Sequence, residues 1–142
     1  MSLSDAPIIV DSDTLIALVN VDDALAGDAL RIAEHLRNIK ATLLYPATTI
    51  AETATTFQRK LNRPDLASVI VASVQAHQFI IEPVDVDVLL EAARLFEPHG
   101  SKQNTIFDAV VAAVAIKLNT NFVFAFDKWY EKVGLKLVSS LI

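Results

Sequence analysis

The stretch Ile8-Ile9-Val10-Asp11-Ser12-Asp13-Thr14-Leu15-Ile16-Ala17-Leu18 places an acid directly between a short apolar run and an apolar helix. Three consecutive β-branched residues predict a buried strand that ends at the acid. The same arrangement returns near the C-terminus, where Asp127 follows the apolar run Phe122 to Phe126. If both runs are parallel strands, the two acids lie at the carboxyl edge of one sheet, which is where such sheets bind ligands.

Two further acids stand near the starts of predicted helices. Glu52 ends the segment Thr49-Ile50-Ala51-Glu52, and Asp108 ends the segment Thr105-Ile106-Phe107-Asp108. Helices that follow parallel strands begin at the same edge of the sheet, so these acids are expected to meet the first two in the crevice. The sequence therefore predicts a pocket of four carboxylates, which is typical of a divalent-metal site.

Each of these acids also has an explanation in helix capping. Asp11 or Asp13 is suited to cap the helix that begins near Thr14, and Asp127 the one that begins at Lys128. The pairs Thr49 with Glu52 and Thr105 with Asp108 both match a capping box. Four caps would be independent events, whereas one shared site accounts for all four acids in this order.

Composition limits the class of protein. The chain has 142 residues, 53% of them apolar, which suits a single folded domain over 1–142, with 1–6 as a loose terminus or cloning remnant. It has no Cys, which excludes disulfides and thiolate metal sites and predicts a cytoplasmic protein. No export signal is evident, and no apolar run reaches the roughly 18 residues that span a bilayer.

The charge balance argues against nonspecific binding of nucleic acid. Seventeen acidic residues oppose 12 basic ones, for a net charge of −5, so a polyanion must be met by local basic groups. Candidates are the compact cluster Arg59, Lys60 and Arg63, together with Lys128 beside Asp127. Solvated surface lysines and arginines are the alternative interpretation of these residues.

Strands alternate with helices along the chain, which predicts an α/β/α sandwich around a mostly parallel sheet of four to five strands. Strands are predicted at 8–10, 42–45, 79–82 and 122–126, with a fifth at an edge over 135–138. Helices are predicted at about 14–19, 23–40, 46–62, 65–76, 85–96 and 105–118, and a short one begins at Lys128.

The four acidic motifs resemble, in this order, those of PIN domains, the family named for the PilT N-terminus. The opening around Asp11 resembles the family's leading Asp and apolar helix, and Glu52 fits its helix-borne acid after the second strand. Asp108 heads an alanine-rich helix, as in the third motif, and Phe122 to Asp127 resembles the last strand with its terminal Asp. The resemblance covers nearly the whole chain.

The resemblance implies a VapC-like toxin, that is, a metal-dependent ribonuclease of a toxin–antitoxin pair. It implies Mg²⁺ or Mn²⁺ at Asp11, Glu52, Asp108 and Asp127, an RNA substrate, an antitoxin partner and a homodimer. The apolar segments 15–19 and 68–74 suit either such contacts or the core. The three histidines form no spaced ligand set, and Trp129 and Tyr130 suit packing or stacking on a base.

Two positions depart from the family pattern. The family often places Thr or Ser two residues before the terminal Asp, where this chain has Ala125. Asp13 is an additional acid that either supports the metal ligands from behind or caps the helix. The missing hydroxyl keeps open a PIN-like module that binds RNA or protein without cutting.

Two other classes compete more weakly. Asp11-Ser12-Asp13-Thr14 after a strand faintly resembles the opening of haloacid dehalogenase-like phosphatases, but the spacing to Thr14 is wrong and a close acidic pair is missing later. A phosphorylatable receiver domain has a similar length and sheet. Its acceptor Asp ends a middle strand, whereas the middle acid here, Glu52, lies in a predicted helix.

Overall fold

The computed structural model describes residues 2–142. Its centre is one sheet in which every neighbouring pair of strands is parallel, in the order β3-β2-β1-β4-β5. The strands are β1 (Ile8–Val10), β2 (Leu43–Pro46), β3 (Ile81–Glu82), β4 (Phe122–Phe124) and β5 (Lys136–Leu137). The predicted parallel sheet is confirmed, and its fifth strand lies at an edge.

Seven α-helices connect and cover the strands. They are α1 (Ser12–Val19), α2 (Ala26–Asn38), α3 (Ala47–Thr55), α4 (Pro64–Gln75), α5 (Val86–Leu95), α6 (Ile106–Lys117) and α7 (Trp129–Lys132). Short connections bring the starts of α1, α3 and α7 to the edge where β1, β2 and β4 end. In residues 2–142, none of these helices is long and apolar enough to cross a membrane.

The two faces of the sheet pack against different helices. Ile9 and Val123 face a cluster that includes α5 and the apolar body of α6. Their strand neighbours Ile8, Val10 and Phe122 face α2 on the opposite side. Strands that are buried on both faces have continuous apolar sequences, as β1 does. This arrangement confirms the predicted three-layer α/β/α sandwich.

A third cluster joins helices that lie beyond the sheet. Leu15 of α1, Ile50 of α3 and Ile70 of α4 surround the buried ring of Phe57. Phe57 lies in a π-helical turn, Thr56–Lys60, which continues α3 and ends at Leu61. The single helix predicted over 46–62 is therefore an α-helix followed by a π-helical turn. Asn62 follows this turn and has a positive φ of 50°.

Three strands, β3, β4 and β5, are shorter than predicted, and the difference in β4 affects the carboxyl edge of the sheet. Apolar residues continue to Phe126, but the ladder of β4 stops at Phe124. The backbone amide of Phe126 instead donates a hydrogen bond to Oδ2 of Asp13, at 3.0 Å. The chain after β4 is therefore fixed by a side chain of α1 rather than by a neighbouring strand.

Candidate active site

The central strands β1 and β4 deliver two acids to the carboxyl edge of the sheet. Val10 pairs with Phe124, and the amide of Asp11 donates to the carbonyl of Phe124 at 3.1 Å. Asp11 thus lies directly beyond the last paired residues, and Asp127 follows on the adjacent strand's extension. The parallel register explains why acids that are more than 110 positions apart reach one region.

Asp11 is a buried carboxylate held at both oxygens. Only 2% of the residue is exposed. Its Oδ1 accepts from the Ser12 amide at 2.7 Å, which caps α1, and its Oδ2 accepts from the Tyr130 hydroxyl at 2.7 Å. Burial raises its pKa well above the ordinary value, the charges of Asp13 and Asp108 raise it further, and the two hydrogen bonds lower it.

Asp108 begins α6 and has the same double role. Its Oδ2 accepts from the Thr105 amide at 2.9 Å, and Thr105 Oγ1 accepts from the Phe107 amide, so the predicted capping box is present. Its Oδ1 lies 3.5 Å from the Tyr130 hydroxyl. Burial and the nearby charge of Asp127 raise the pKa of Asp108. The side chain of Asp108 therefore caps α6 and also lines the cleft described below.

Glu52 reaches the same region without a capping role. The helix α3 begins at Ala47, so Thr49 lies inside the helix and the predicted capping box of Thr49 with Glu52 does not form. Thr49 Oγ1 instead donates to the carbonyl of Val10 at 3.0 Å, which ties α3 to the end of β1. Burial raises the pKa of Glu52, and the charges of Asp108 and Asp13 raise it further, against a hydrogen bond from Ser12.

The remaining two acids are held by donors from other segments. Asp127 Oδ2 accepts from Asn104 Nδ2 at 2.8 Å, and its Oδ1 accepts from the Trp129 amide at 2.9 Å. Asp13 accepts from the amides of Thr14 and Phe126, at 2.7 and 3.0 Å. Burial raises the pKa of Asp13 despite these bonds. Asp13 therefore braces the loop after β4 from α1 and also faces the other acids.

These side chains line one open cleft of about 410 Å³. Its walls contain all four predicted acids, Asp13, and two lysines from different segments, Lys60 after α3 and Lys102 before α6. The full lining is Asp11, Ser12, Asp13, Glu52, Lys60, Lys102, Gln103, Thr105, Asp108 and Asp127. The other predicted basic contacts, Arg59, Arg63 and Lys128, do not line it, and Arg63 pairs with Asp65 at 2.9 Å.

A family model described as the PIN domain matches residues 8–136 of this chain. The chain belongs to the PIN domain family. A solved structure, VapC20 of Mycobacterium tuberculosis, described as a toxin that cleaves the sarcin-ricin loop, superposes with a TM-score of 0.76. The two sequences are 25% identical, and the match covers 91% of this chain and 96% of that one. No curated protein matches the chain.

Family membership sets aside two of the alternatives drawn from the sequence. Neither the haloacid dehalogenase-like phosphatase nor the receiver domain is consistent with a PIN domain match that begins at the strand before Asp11 and spans the four acidic motifs. The recognition of a PIN domain from the ordered acids is confirmed.

The acids of this PIN domain are close but are turned toward protein donors. Within residues 2–142, no three His, Cys, Asp or Glu side chains already surround a common point as metal ligands would. Asp11, Asp13 and Asp127 each accept a hydrogen bond at both oxygens. The oxygen-only donor set suits a hard cation such as Mg²⁺, which keeps several waters and needs few direct protein ligands.

Three residues at the cleft have contacts that the sequence did not predict. Tyr130 was expected to pack or to stack on a base, and it is fully buried with its hydroxyl on Asp11. Asn104 and Lys102 lie in the polar loop before α6, to which no role was given. The one feature of the sequence that could have linked Tyr130 to the acids is its position three residues after Asp127. The three histidines are exposed and do not line the cleft.

Proposed function

We propose that this PIN domain is a Mg²⁺- or Mn²⁺-dependent endoribonuclease and the toxin of a toxin–antitoxin pair. It hydrolyses RNA phosphodiester bonds at Asp11, Glu52, Asp108 and Asp127. The observation that carries the proposal is that these four acids, spread over the whole chain, line one cleft at the carboxyl edge of the sheet. The likeness to the VapC20 toxin supports the reaction class.

The electrostatics of the cleft favour a bound cation. Asp11, Asp13, Glu52 and Asp108 each have a raised pKa, because burial and neighbouring carboxylates both disfavour the charged form. A divalent cation removes both penalties at once, because it neutralises the charge and replaces lost water with ligand bonds. The acids therefore hold protons more tightly than free carboxylates do, and a cation that binds their ionised forms displaces those protons.

The four acids differ in burial and in the hydrogen bonds that hold them, and we assign them different roles on that basis. Asp11 and Asp108 are the most buried, and hydrogen bonds fix their orientation, so we assign them as direct ligands. Asp127 is held by Asn104 and Trp129 and completes the set from the side of β4. Glu52 projects from α3 on the other side of the cleft, and we assign it to orient the attacking water.

The reaction assigned to the site is in-line attack of water on phosphorus. The attack forms a bond from phosphorus to the water oxygen and breaks the bond to the departing ribose oxygen, which takes up a proton from solvent. A divalent cation held there supplies an activated water and stabilises the charge on the phosphoryl oxygens. Glu52 accepts the proton of the attacking water. Burial and hydrogen bonds hold the carboxylates of Asp11 and Asp108 in place during the attack. Lys60 and Lys102 both line the cleft and are assigned to hold phosphates of the RNA.

An antitoxin and a second copy of the chain are the proposed protein partners. Of the two apolar segments, 15–19 is largely inside, since Leu15 and Ala17 are buried. The segment 68–74 is different, because Val69 and Val71 are 46% and 50% exposed on α4. A groove of about 530 Å³ between α3 and α4 includes Val71. This surface supports the proposal of a partner on α4.

The deciding experiment is cleavage of defined RNAs with and without Mn²⁺. The wild-type chain is expected to cut only with the metal, and Asp11→Asn and Asp108→Asn are expected to abolish cutting. Asn keeps the volume and the capping ability of Asp, so the fold stays intact. Asp87→Asn is the matched control, because Asp87 is an exposed acid in the first turn of α5.

The alternatives give different results in the same assay. Binding of RNA with no cleavage at any metal concentration would identify a non-catalytic PIN-like module. Cleavage by folded Asp11→Asn protein at the wild-type rate would refute the proposed site. Growth arrest on expression, relieved by a neighbouring small gene, tests the toxin assignment separately.

A further inference from the structure

Tyr130 brings a phenol into contact with the two most buried acids of the cleft. Its side chain is fully buried, and its hydroxyl lies 2.7 Å from Asp11 Oδ2 and 3.5 Å from Asp108 Oδ1. Tyr130 is in α7, which lies between β4 and β5, whereas Asp11 caps the start of α1 and Asp108 lies in the first turn of α6. One hydroxyl therefore links three separate helices at the point where the site is formed.

The phenol approaches the acids from the interior rather than from the cleft. Tyr130 belongs to the core cluster that contains Val110, Val114 and Leu137, and it does not line the cleft. Trp129 packs edge-on against its ring, with the centroids 5.3 Å apart. The ring is therefore held on its apolar sides, and its hydroxyl has a fixed direction toward Asp11.

The hydroxyl acts as a donor in this position. The hydroxyl lies 2.7 Å from a carboxylate oxygen, which can only accept, so the phenol O–H donates to Asp11 Oδ2. A carboxylate oxygen has two lone pairs, and one hydrogen bond at Asp11 Oδ2 leaves the other free for a ligand in the cleft. Hydrogen bonds of this kind behind a ligand fix its orientation.

We propose that Tyr130 is a positioning residue that holds the Asp11 carboxylate, from the protein interior, in the orientation that binds the cation. The inference rests on the proposed metal-dependent function. Without the hydroxyl, Asp11 Oδ2 is a buried acceptor with no donor behind it. The carboxylate then turns toward another donor, and this change of orientation weakens its bond to a cation.

A competing arrangement predicts the opposite sign. If the hydroxyl occupied the place of the cation between Asp11 and Asp108, removing it would make room and strengthen cation binding. The position of Tyr130 behind the acids, outside the cleft lining, argues against this arrangement. A direct measurement of cation affinity distinguishes the two.

The test uses Tyr130→Phe and measures Mn²⁺ binding by isothermal titration calorimetry. The variant removes one oxygen and keeps the ring. The affinity for Mn²⁺ is expected to fall about 10- to 100-fold, as it does when a partner behind a metal ligand is removed. The chain has one other tyrosine, Tyr45, which packs on Phe79 and does not line the cleft. Tyr45→Phe is the matched control and is expected to bind Mn²⁺ within about twofold of wild type.

The outcomes separate this inference from the proposed function. If wild type binds Mn²⁺, Asp11→Asn does not, and Tyr130→Phe binds as well as wild type or better, then the inference is wrong and the metal site stands. If wild type binds no Mn²⁺, both are wrong. A Tyr130→Phe protein that is less stable but binds normally shows a purely structural role.

A second measurement applies even if Tyr130→Phe does not fold. Incorporation of 3-fluorotyrosine into the Tyr45→Phe protein leaves a single fluorine reporter, at position 130. Diamagnetic Mg²⁺ is expected to shift its ¹⁹F resonance, because the hydrogen bond to Asp11 changes when that carboxylate binds the cation. An unchanged resonance at a Mg²⁺ concentration that saturates the protein by calorimetry overturns the proposal.

Discussion

The side-chain amide of Asn104 donates a 2.8 Å hydrogen bond from Nδ2 to Oδ2 of Asp127. This bond connects the polar loop before α6 to the acid after β4. The two residues are 23 positions apart, and no regular element pairs them. The Asp127 carboxylate thus depends on an irregular loop for its orientation. The loop also carries Lys102 and Gln103 into the cleft.

Asn104→Ala is expected to loosen both the loop and the acid. Loss of a hydrogen bond to a charged group in a half-buried position costs about 1 kcal/mol in the free energy of unfolding. RNA cleavage is expected to fall about 10-fold, because Asp127 loses the donor behind it. Urea unfolding and single-turnover cleavage measure the two effects. His99→Ala, an exposed change in the same loop, serves as the control and should alter neither.

Thr49 and Thr53 provide a matched pair on α3. Both are buried, but Thr49 Oγ1 donates to the carbonyl of Val10, whereas Thr53 Oγ1 has no hydrogen-bond partner within residues 2–142. Thr49→Val is expected to destabilise the protein by about 1–2 kcal/mol and to lower cleavage, because α3 carries Glu52. Thr53→Val is expected to be neutral or stabilising. Equal effects on thermal unfolding would contradict this reading of the Thr49 bond.

The stability of the metal-free protein is expected to fall as the pH rises. The pKa of Asp11 is raised by burial and by Asp13 and Asp108, so the folded state holds protons that the unfolded chain releases above its ordinary pKa of 3.8. Asp13, Glu52 and Asp108 shift the same way. Since the folded state binds more protons in this window, stability decreases with pH until the raised pKa values are passed.

Urea titrations with a chelator at pH 5 and pH 8 measure this dependence. The loss between the two is expected to be on the order of 1–3 kcal/mol. Mn²⁺ should restore stability at pH 8, since it binds the ionised acids of the folded state. Asp11→Asn should flatten the dependence, because its side chain does not titrate. A metal-free protein that is more stable at pH 8 would rule out the electrostatic description of the cleft.

Lys60 and Lys102 are expected to bind RNA rather than to carry out chemistry. Lys60→Gln and Lys102→Gln should each raise KM several-fold with little change in kcat. Each should also reduce the slope of log affinity against log salt by about 1, because one phosphate contact is lost. Lys136→Gln is the control, since Lys136 begins the edge strand β5 and does not line the cleft. A fall in kcat at constant KM would place these lysines in the reaction instead.

Much of the site was predictable because its acids follow regular elements. The parallel pairing of β1 and β4 determines the positions of Asp11 and Asp127 at the carboxyl edge of the sheet. The position of Asp108 is determined by the start of α6, since Asp108 lies in its first turn. Glu52 lines the cleft, and the capping box that was its alternative explanation does not form, since Thr49 bonds to the end of β1 instead. The rule for sheet edges thus predicted the gathering of the acids even where the local motif failed.

The contacts of Tyr130, Asn104 and Lys102 at the cleft depend on features that have no periodic pattern in the sequence. The direction of Tyr130 depends on α7, which is only four residues long, and on its packing against α6. Asn104 and Lys102 lie on an irregular loop whose path is set by tertiary hydrogen bonds. The π-helical turn over Thr56–Lys60, which brings Lys60 to the cleft, likewise has the same apolar pattern as an ordinary helix.

Trp129 is the only tryptophan of the chain, and its indole lies edge-on against the ring that contacts Asp11. Its fluorescence emission responds to the electric field at the indole, and a dication arriving at the cleft changes that field. The protein therefore contains its own optical reporter, and ligand occupancy becomes measurable in native material, in real time, without a dye or a label.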